Sequence, residues 1–415
     1  MASSVAFYLL LHQPLRFRIP LDASSKNMPN TAKEWQRHLF DDVLNARYFK
    51  GIAERSYVPM LSLIEELIGR DFHCNLGLSW TFWEQAQAFG EPLLSLLIRV
   101  LRHPNIEIIG VEPYHSLLPL IDPHMFQRRM RWMREKMQQT FQKSVCITDT
   151  TEMFYSDQIY WSLALAGFDA MLVDGRPNTV GAQGPTGIYN GPGPLAIIPR
   201  HWSLSDDVGY RFSNRSWDRY PLYAPDYAQW LTDAPGAVAM VGWDFETFGE
   251  HHRKETGIFA FMRQLKEELD ARAVPTVRLS TRLNGPRAGI LTPPLRPLTW
   301  AGTGDLNFFL GNRRQWELYQ HMQSVYHKAR LTERAGYIDV ALRLMQSDHL
   351  HMLHWYDAQG PEADVSMYFT PGEWWAQGRD AIIAGLNQVF EVFSHGLDEP
   401  LLQRLSPTKT PRSHP

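Results

Sequence analysis

Short apolar runs recur along the first 250 positions and alternate with stretches whose apolar residues are spaced by three and four. The runs fall at residues 5–11, 72–78, 106–111, 144–147, 170–173, 195–198 and 237–242. Their length and lack of polar alternation predict buried strands. Between them, residues 58–68, 125–143, 158–166 and 255–269 carry helical spacing. In 125–143 the stripe is Met130, Trp132, Met133, Met137 and Phe141. Strand–helix alternation argues for a parallel β/α architecture. Seven runs in one long unit favour a closed or nearly closed barrel, with a doubly wound sheet as the alternative. The alternation stops near residue 273. Residues 284–304 are rich in Pro and Gly and are expected to form a linker or long loop. Three helical stretches follow, at 306–328, 334–355 and 373–393. The expected organisation is a barrel over 1–283, the linker or loop over 284–304, a helical region over 305–400 and a polar, Pro-rich, disordered tail over 401–415. Residues 175–194, also rich in Gly and Pro, are expected to form a long loop over the active face.

Composition narrows the class. A chain of 415 residues with 44% hydrophobic and 20% charged residues can build a large core without staples. The net charge of −3 and the lack of a basic stripe argue against a nucleic-acid partner. Two cysteines, Cys74 and Cys146, make no disulfide framework and suit a reducing compartment. The first apolar run is too short to span a membrane, no basic residue precedes it, and no small-residue cleavage site follows. A cytoplasmic location is therefore expected. The aromatic complement of 14 Trp, 16 Tyr and 21 Phe suits a carbohydrate cleft, although large cores use the same residues.

Barrel active sites lie at the C-terminal ends of the strands. His12 follows the first run, Glu112 and His115 the third, Asp149 and Glu152 the fourth, and Asp244 and Glu246 the seventh. Stability alone does not require four strands to end in ionisable groups. Two carboxyls on separate strand ends suit glycoside hydrolysis, in which one attacks and one donates a proton. Burial beside Trp243 and Phe245 and a negative Glu152 nearby would raise the Asp244 pKa. A helix cap or a structural ion pair is the plainer reading of either acid.

Five segments, in order, carry a family resemblance. They are Leu11-His12-Gln13-Pro14-Leu15-Arg16, then Glu107–Pro119 with Tyr114-His115-Ser116, then Thr150-Thr151-Glu152-Met153-Phe154-Tyr155-Ser156-Asp157. The fourth is Trp243-Asp244-Phe245-Glu246-Thr247-Phe248-Gly249-Glu250-His251, and the fifth Gln346-Ser347-Asp348-His349. Together they resemble glycoside hydrolase family 57, most closely its α-amylase and amylase-like branch. The resemblance implies an incomplete TIM-like (β/α)7 barrel followed by a C-terminal α-helical bundle. It also implies a retaining enzyme acting on α-1,4-glucans by hydrolysis or transglycosylation. Glu152 falls on the nucleophile and Asp244 on the general acid/base. His12, His115, Asp348 and, more weakly, His349 fall at substrate-contacting positions, and Trp243 is a stacking candidate. Each has a structural alternative: an orienting histidine, a cap, or core packing.

The chain departs from the branch at Phe245, Pro113, Leu350-His351-Met352 and Asp174-Gly175. These changes put the exact glucan in doubt. Glu246 and Glu250 are expected to be structural. No cofactor is expected. His349, His351 and His354 lack strong zinc spacing, because His349 and His351 diverge by about 200° on a helix, so no metal is expected either. The competing readings are a 4-α-glucanotransferase or other α-glycosidase of the family, a metal-dependent enzyme on a similar barrel, and a non-catalytic glycogen- or starch-binding protein.

Overall fold

The computed structural model describes residues 3–21, 28–355 and 370–405. Seven parallel strands are ordered β3-β2-β1-β8-β7-β5-β4. They are β1 (Val5–Leu11), β2 (Cys74–Leu78), β3 (Ile106–Ile109), β4 (Ile147–Thr148), β5 (Ala170–Asp174), β7 (Ala196–Arg200) and β8 (Ala239–Asp244). A short β6 (Tyr189–Asn190) pairs antiparallel with β7. The sheet closes where Gly110 N–H donates to the Ile147 carbonyl (2.9 Å) and Asp149 N–H to the Gly110 carbonyl (2.7 Å). This is the expected seven-stranded, nearly closed barrel with helices after it. The doubly wound alternative is excluded, because an open sheet leaves its two edges unpaired.

The run Val5–Leu11 lacks polar alternation because both of its faces are buried. Phe7, Leu9 and Leu11 face the helix layer. Ala6, Tyr8 and Leu10 face the barrel interior with Ile109, Ile147, Leu172, Ile198 and Met240. Register sets Leu9 beside Leu76 on one side and Trp243 on the other. The Tyr8 ring fits only because β2 offers Gly77, where a Cβ would lie 2.5 Å from the tyrosine oxygen.

The three helical stretches after the barrel are each divided. Residues 306–328 separate into Asn307–Leu310 and Arg313–Leu331, the second started by an Asn312/Gln315 capping box. Residues 334–355 break between Ala335–Leu344 and Asp348–Trp355, because 345–347 turn aside to bond the barrel rim. There Leu117 N–H donates to the Met345 carbonyl and Ser347 N–H to the His115 carbonyl. Residues 373–393 break at Gly378, whose φ of +88° no helix accommodates. The last helix, Asp398–Leu405, extends into the stretch expected to be a tail, and 406–415 lie outside the described residues.

Residues 284–304 are a packed strap across the barrel face. Ala288 N–H donates to the Ile188 carbonyl, Leu291 N–H to Asn190, and Leu298 N–H to Tyr155. The 175–194 loop holds the short helix Pro177–Val180 as well as β6. It is tied to the strap by Arg176, which donates to the Gly302 and Trp300 carbonyls. Among the described residues no helix is long and apolar enough to cross a membrane.

Candidate active site

Strand ends, strap and C-terminal helices meet at one cleft. Its lining includes His12, His115, Glu152, Arg200, Trp243, Asp244, Glu246, Trp300, Asp348 and His351.

Glu152 sits just past β4 in a tight turn. Its φ is +54°, in the left-handed region that non-glycine residues seldom occupy. His115 has the same φ, +54°. Strain of this kind persists only where surrounding contacts over-determine it, and here they do. The Glu152 carbonyl accepts from Thr299 Oγ1 at 2.7 Å and from Trp300 N–H at 3.2 Å. The buried Glu112 carboxyl accepts the backbone N–H groups of Tyr114 (3.0 Å) and Ser116 (2.6 Å), pinning the turn that carries His115.

The Glu152 carboxylate takes two donors. Trp300 Nε1–H reaches Oε2 at 2.8 Å, and Ser347 Oγ–H reaches Oε1 at 2.9 Å. Behind Ser347, His115 Nδ1 lies 3.2 Å from its Oγ. His115 Nε2 accepts the Glu152 N–H at 3.4 Å, so a neutral tautomer with the proton on Nδ1 completes the chain. Burial, then His12 alongside, holds His115 well below its ordinary pKa, in keeping with that neutral form.

Burial pushes Glu152 up to about 7, Trp300 and Ser347 pull it down, and Asp348 adds to the rise. Asp244, at the end of β8, is pushed up to about 8 by burial and then by the Glu152 charge, against the pull of Arg200. No hydrogen bond to its carboxyl is found among the described residues. The two acids thus share a cleft but differ in environment: one is held by two donors, the other is left without them.

Asp348 opens its helix and faces His12, whose Nε2 lies 3.1 Å from Oδ2, while His12 Nδ1 lies 2.8 Å from Ser79 Oγ. Burial alone would raise Asp348, but His12 beside it holds it below the usual carboxylate range. His12, His115 and Asp348 each bring one possible metal-ligand atom within 4.8 Å of the others. That trio comes from three distant segments, which spacing rules cannot detect.

The remaining sequence candidates divide. Trp243 borders the cleft, but its indole N–H donates to the Ser205 carbonyl (2.6 Å) and its ring packs against Phe7 and Phe248. His349 is not in the cleft lining; it is buried with its ring 4.1 Å from Phe17, and His351 takes the place at the cleft. Glu250 is paired with Arg55 and Arg253. Glu246, expected to be structural, lies in the lining. It accepts from Tyr57 and Gln13 and is pushed up to about 8 by burial and Asp244.

Three residues that act on the two acids, Trp300 and Arg200 in the cleft lining and Ser347 behind it, were not singled out by the sequence reading. Trp300 lay in a stretch read as a linker, and Ser347 was quoted only as part of a motif. Arg200, at the end of β7, is buried between Asp174 (2.9 Å) and Asp206 (2.8 Å) and donates to the Gly242 carbonyl. A polar residue at the sixth strand's end was the available signal. The Asp174 departure is thereby explained as an ion-pair partner. Phe245 is fully buried against Tyr57 and outside the cleft lining.

Comparison with known proteins gives this geometry a context. The family model for glycosyl hydrolase family 57 matches residues 6–288. The chain belongs to glycosyl hydrolase family 57. A relative from Methanocaldococcus jannaschii, named "Putative alpha-amylase", is 32% identical over 328 residues, covering 77% of this chain and 68% of the relative. Among solved structures, a family 57 branching enzyme from Thermococcus kodakaraensis aligns with a TM-score of 0.63 at 13% identity, covering 98% of this chain and 95% of that one. The 4-alpha-glucanotransferase of Thermococcus litoralis aligns at 0.62 with 15% identity, covering 84% of this chain. This chain spans only 56% of that enzyme's length. At such identities the structures speak for the fold alone.

Proposed function

We propose that this family 57 member is a retaining glycosidase acting on α-1,4-glucans, with Glu152 as nucleophile and Asp244 as general acid/base. The observation that carries the reading is the unequal treatment of two carboxyls in one cleft. Glu152 is stabilised as an anion by Trp300 and Ser347, whereas Asp244 has no such donors and titrates higher. That order leaves Glu152 ionised while Asp244 keeps its proton, the state a retaining mechanism starts from.

In the first step Glu152 Oε attacks the anomeric carbon as the glycosidic C–O bond breaks, and the departing oxygen takes the Asp244 proton. In the second, Asp244 as a base removes a proton from water, or from a sugar hydroxyl in transglycosylation. The oxygen so activated displaces Glu152, and both acids return to their starting state. In this reading His12 and Asp348, both in the cleft lining, bind sugar hydroxyls beside the reacting carbon. Support for an α-glucan comes from the name of the M. jannaschii relative, and the half-buried Trp300 in the cleft lining suits a sugar.

The test is incubation with maltoheptaose and with soluble starch, products being separated by chromatography, beside Glu152→Ala and Asp244→Ala. Shorter sugars from the native protein alone support the assignment, and longer ones beside them indicate transfer. An inert native protein that still binds starch would replace it with the non-catalytic reading. The trio of His12, His115 and Asp348 favours one second reading, a metal-dependent hydrolase. Activity abolished by chelator and restored by zinc would establish that reading instead.

A further inference from the structure

Asp149 is the first residue after β4 and shares the turn that carries Glu152. It is buried and lies outside the cleft lining. Both oxygens of its carboxyl are used. Oδ1 accepts the Thr150 N–H at 2.7 Å, and Oδ2 accepts the Tyr8 hydroxyl at 2.6 Å. Tyr8 reaches it from β1 across the barrel interior because both neighbouring strands make room. Its register partner on β8 is Gly242, where a Cβ would lie 3.1 Å from the ring. On β2 the ring leans past Gly77, the partner of Leu10 and so nearer the rim. Tyr8 otherwise belongs to an apolar layer with Leu10, Ile109, Val111 and Met153. Burying a carboxyl in such surroundings opposes folding, and an apolar pair of like volume would fill the space without that cost. Core packing does not call for this pair; its position behind the two acids gives it a use.

Asp149 N–H donates to the Gly110 carbonyl at the barrel closure (2.7 Å). From there Thr150 Oγ1 donates to the Phe154 carbonyl (3.0 Å) and Thr151 Oγ1 to the Ser116 carbonyl (2.6 Å). These contacts bracket the left-handed Glu152, so the Asp149 carboxyl anchors the near end of a strained turn. It is also a charge close to both acids. Among the described residues, the ionisable groups facing it are Tyr8 from β1, Glu152 from its own turn and Asp244 from β8. Burial pushes Asp149 up to about 7, while Tyr8 and Thr150 pull it down. Once ionised, it raises both Glu152 and Asp244.

We infer that Asp149, held by Tyr8, is a positioning residue for the two acids of the cleft: its carboxyl pins the Glu152 turn and sets a negative charge behind both of them. The parts played by the two acids rest on the proposed function; the chain from Tyr8 through Asp149 to Thr150 does not.

Asp149→Asn separates charge from geometry, because the amide oxygen can accept from Thr150 while the amide nitrogen donates to the Tyr8 oxygen. In its pH profile of kcat/KM on maltoheptaose, the alkaline limb should move down by about half a unit, a roughly threefold loss on that flank. The acid limb should move down by less, because Asp149 is itself only partly ionised there. Tyr8→Phe removes one donor to the Asp149 anion and should move the alkaline limb the same way. Asp149→Ala, which also frees the turn, should lower kcat by roughly tenfold or more with KM near the native value. Native limbs in Asp149→Asn and Tyr8→Phe, or a loss of equal size at every pH, would make Asp149 a structural residue only and overturn the inference. A raised KM with kcat unchanged would place it against the sugar and overturn the inference too. Native turnover in Glu152→Ala or Asp244→Ala would instead remove the proposed function, and with it the role given to Asp149.

Discussion

Trp300→Phe isolates how Glu152, the proposed nucleophile, is held ionised. The substitution keeps the ring and deletes one donor, the indole N–H lying 2.8 Å from Glu152 Oε2. A hydrogen bond to a charged group contributes about 1.5–3 kcal/mol. Because it stabilises only the ionised form, its loss raises the Glu152 pKa, by roughly one to two units at 1.36 kcal/mol each. The acid limb of kcat/KM, expected near the native value of about 7, should then lie roughly one unit or more higher. At pH 6.5 the variant would be slower by about tenfold, since fewer molecules hold an ionised Glu152. Once the pH is well above the raised value Glu152 is ionised in both proteins, so the ratio of their rates should climb toward one at the alkaline end. The assay is initial-rate release of reducing ends from maltoheptaose across pH 5.5–9.5, a range set by the roughly two-unit span needed around each limb. An equal-fold loss at every pH would refute the electrostatic account and leave Trp300 a purely steric role.

Asp348→Asn should move the same limb the other way, because the Asp348 charge adds to the rise of Glu152; pH–rate profiles of the two variants would separate in opposite directions. Arg200→Met leaves Asp174 and Asp206 to share Arg176, which should cost about 3 kcal/mol in urea unfolding. It should also raise the alkaline limb, since Arg200 pulls the Asp244 pKa down. Asp244→Asn should stabilise the protein. The folded pKa of about 8 lies above the ordinary carboxylate value, so the folded state binds more protons and loses stability as pH rises through that window. The gain should grow from near zero at pH 4 to on the order of 5 kcal/mol at pH 8, about four units at 1.36 kcal/mol each, read from urea midpoints. A Tm lowered at both pH values would refute it.

Local pattern was enough to reveal a parallel β/α fold and to favour a barrel; closure between the third and fourth strands settled it. Val5–Leu11 had to be a strand buried on both faces, because an uninterrupted apolar run has no solvent side to spare. Acids after the fourth and seventh runs had to reach one rim, because parallel strands end on one face. So the rim positions of Glu152 and Asp244 were legible from the strand pattern, while their roles came only from the family resemblance. What sequence could not decide was which distant groups would meet them. Trp300 sits in a stretch whose Pro and Gly content reads as a linker, yet backbone pairing with Tyr155 and Asn190 carries its indole to Glu152. His349 and His351 are equally histidine in a list, but helix geometry sends one to Phe17 and the other to the cleft. Residue type and spacing are local properties, whereas a pKa depends on charge, burial and donors contributed by segments about 150 to 200 positions away, as Trp300 and Ser347 are from Glu152. The protonation order of the two acids, and with it the direction of the proposed chemistry, belongs to the tertiary structure.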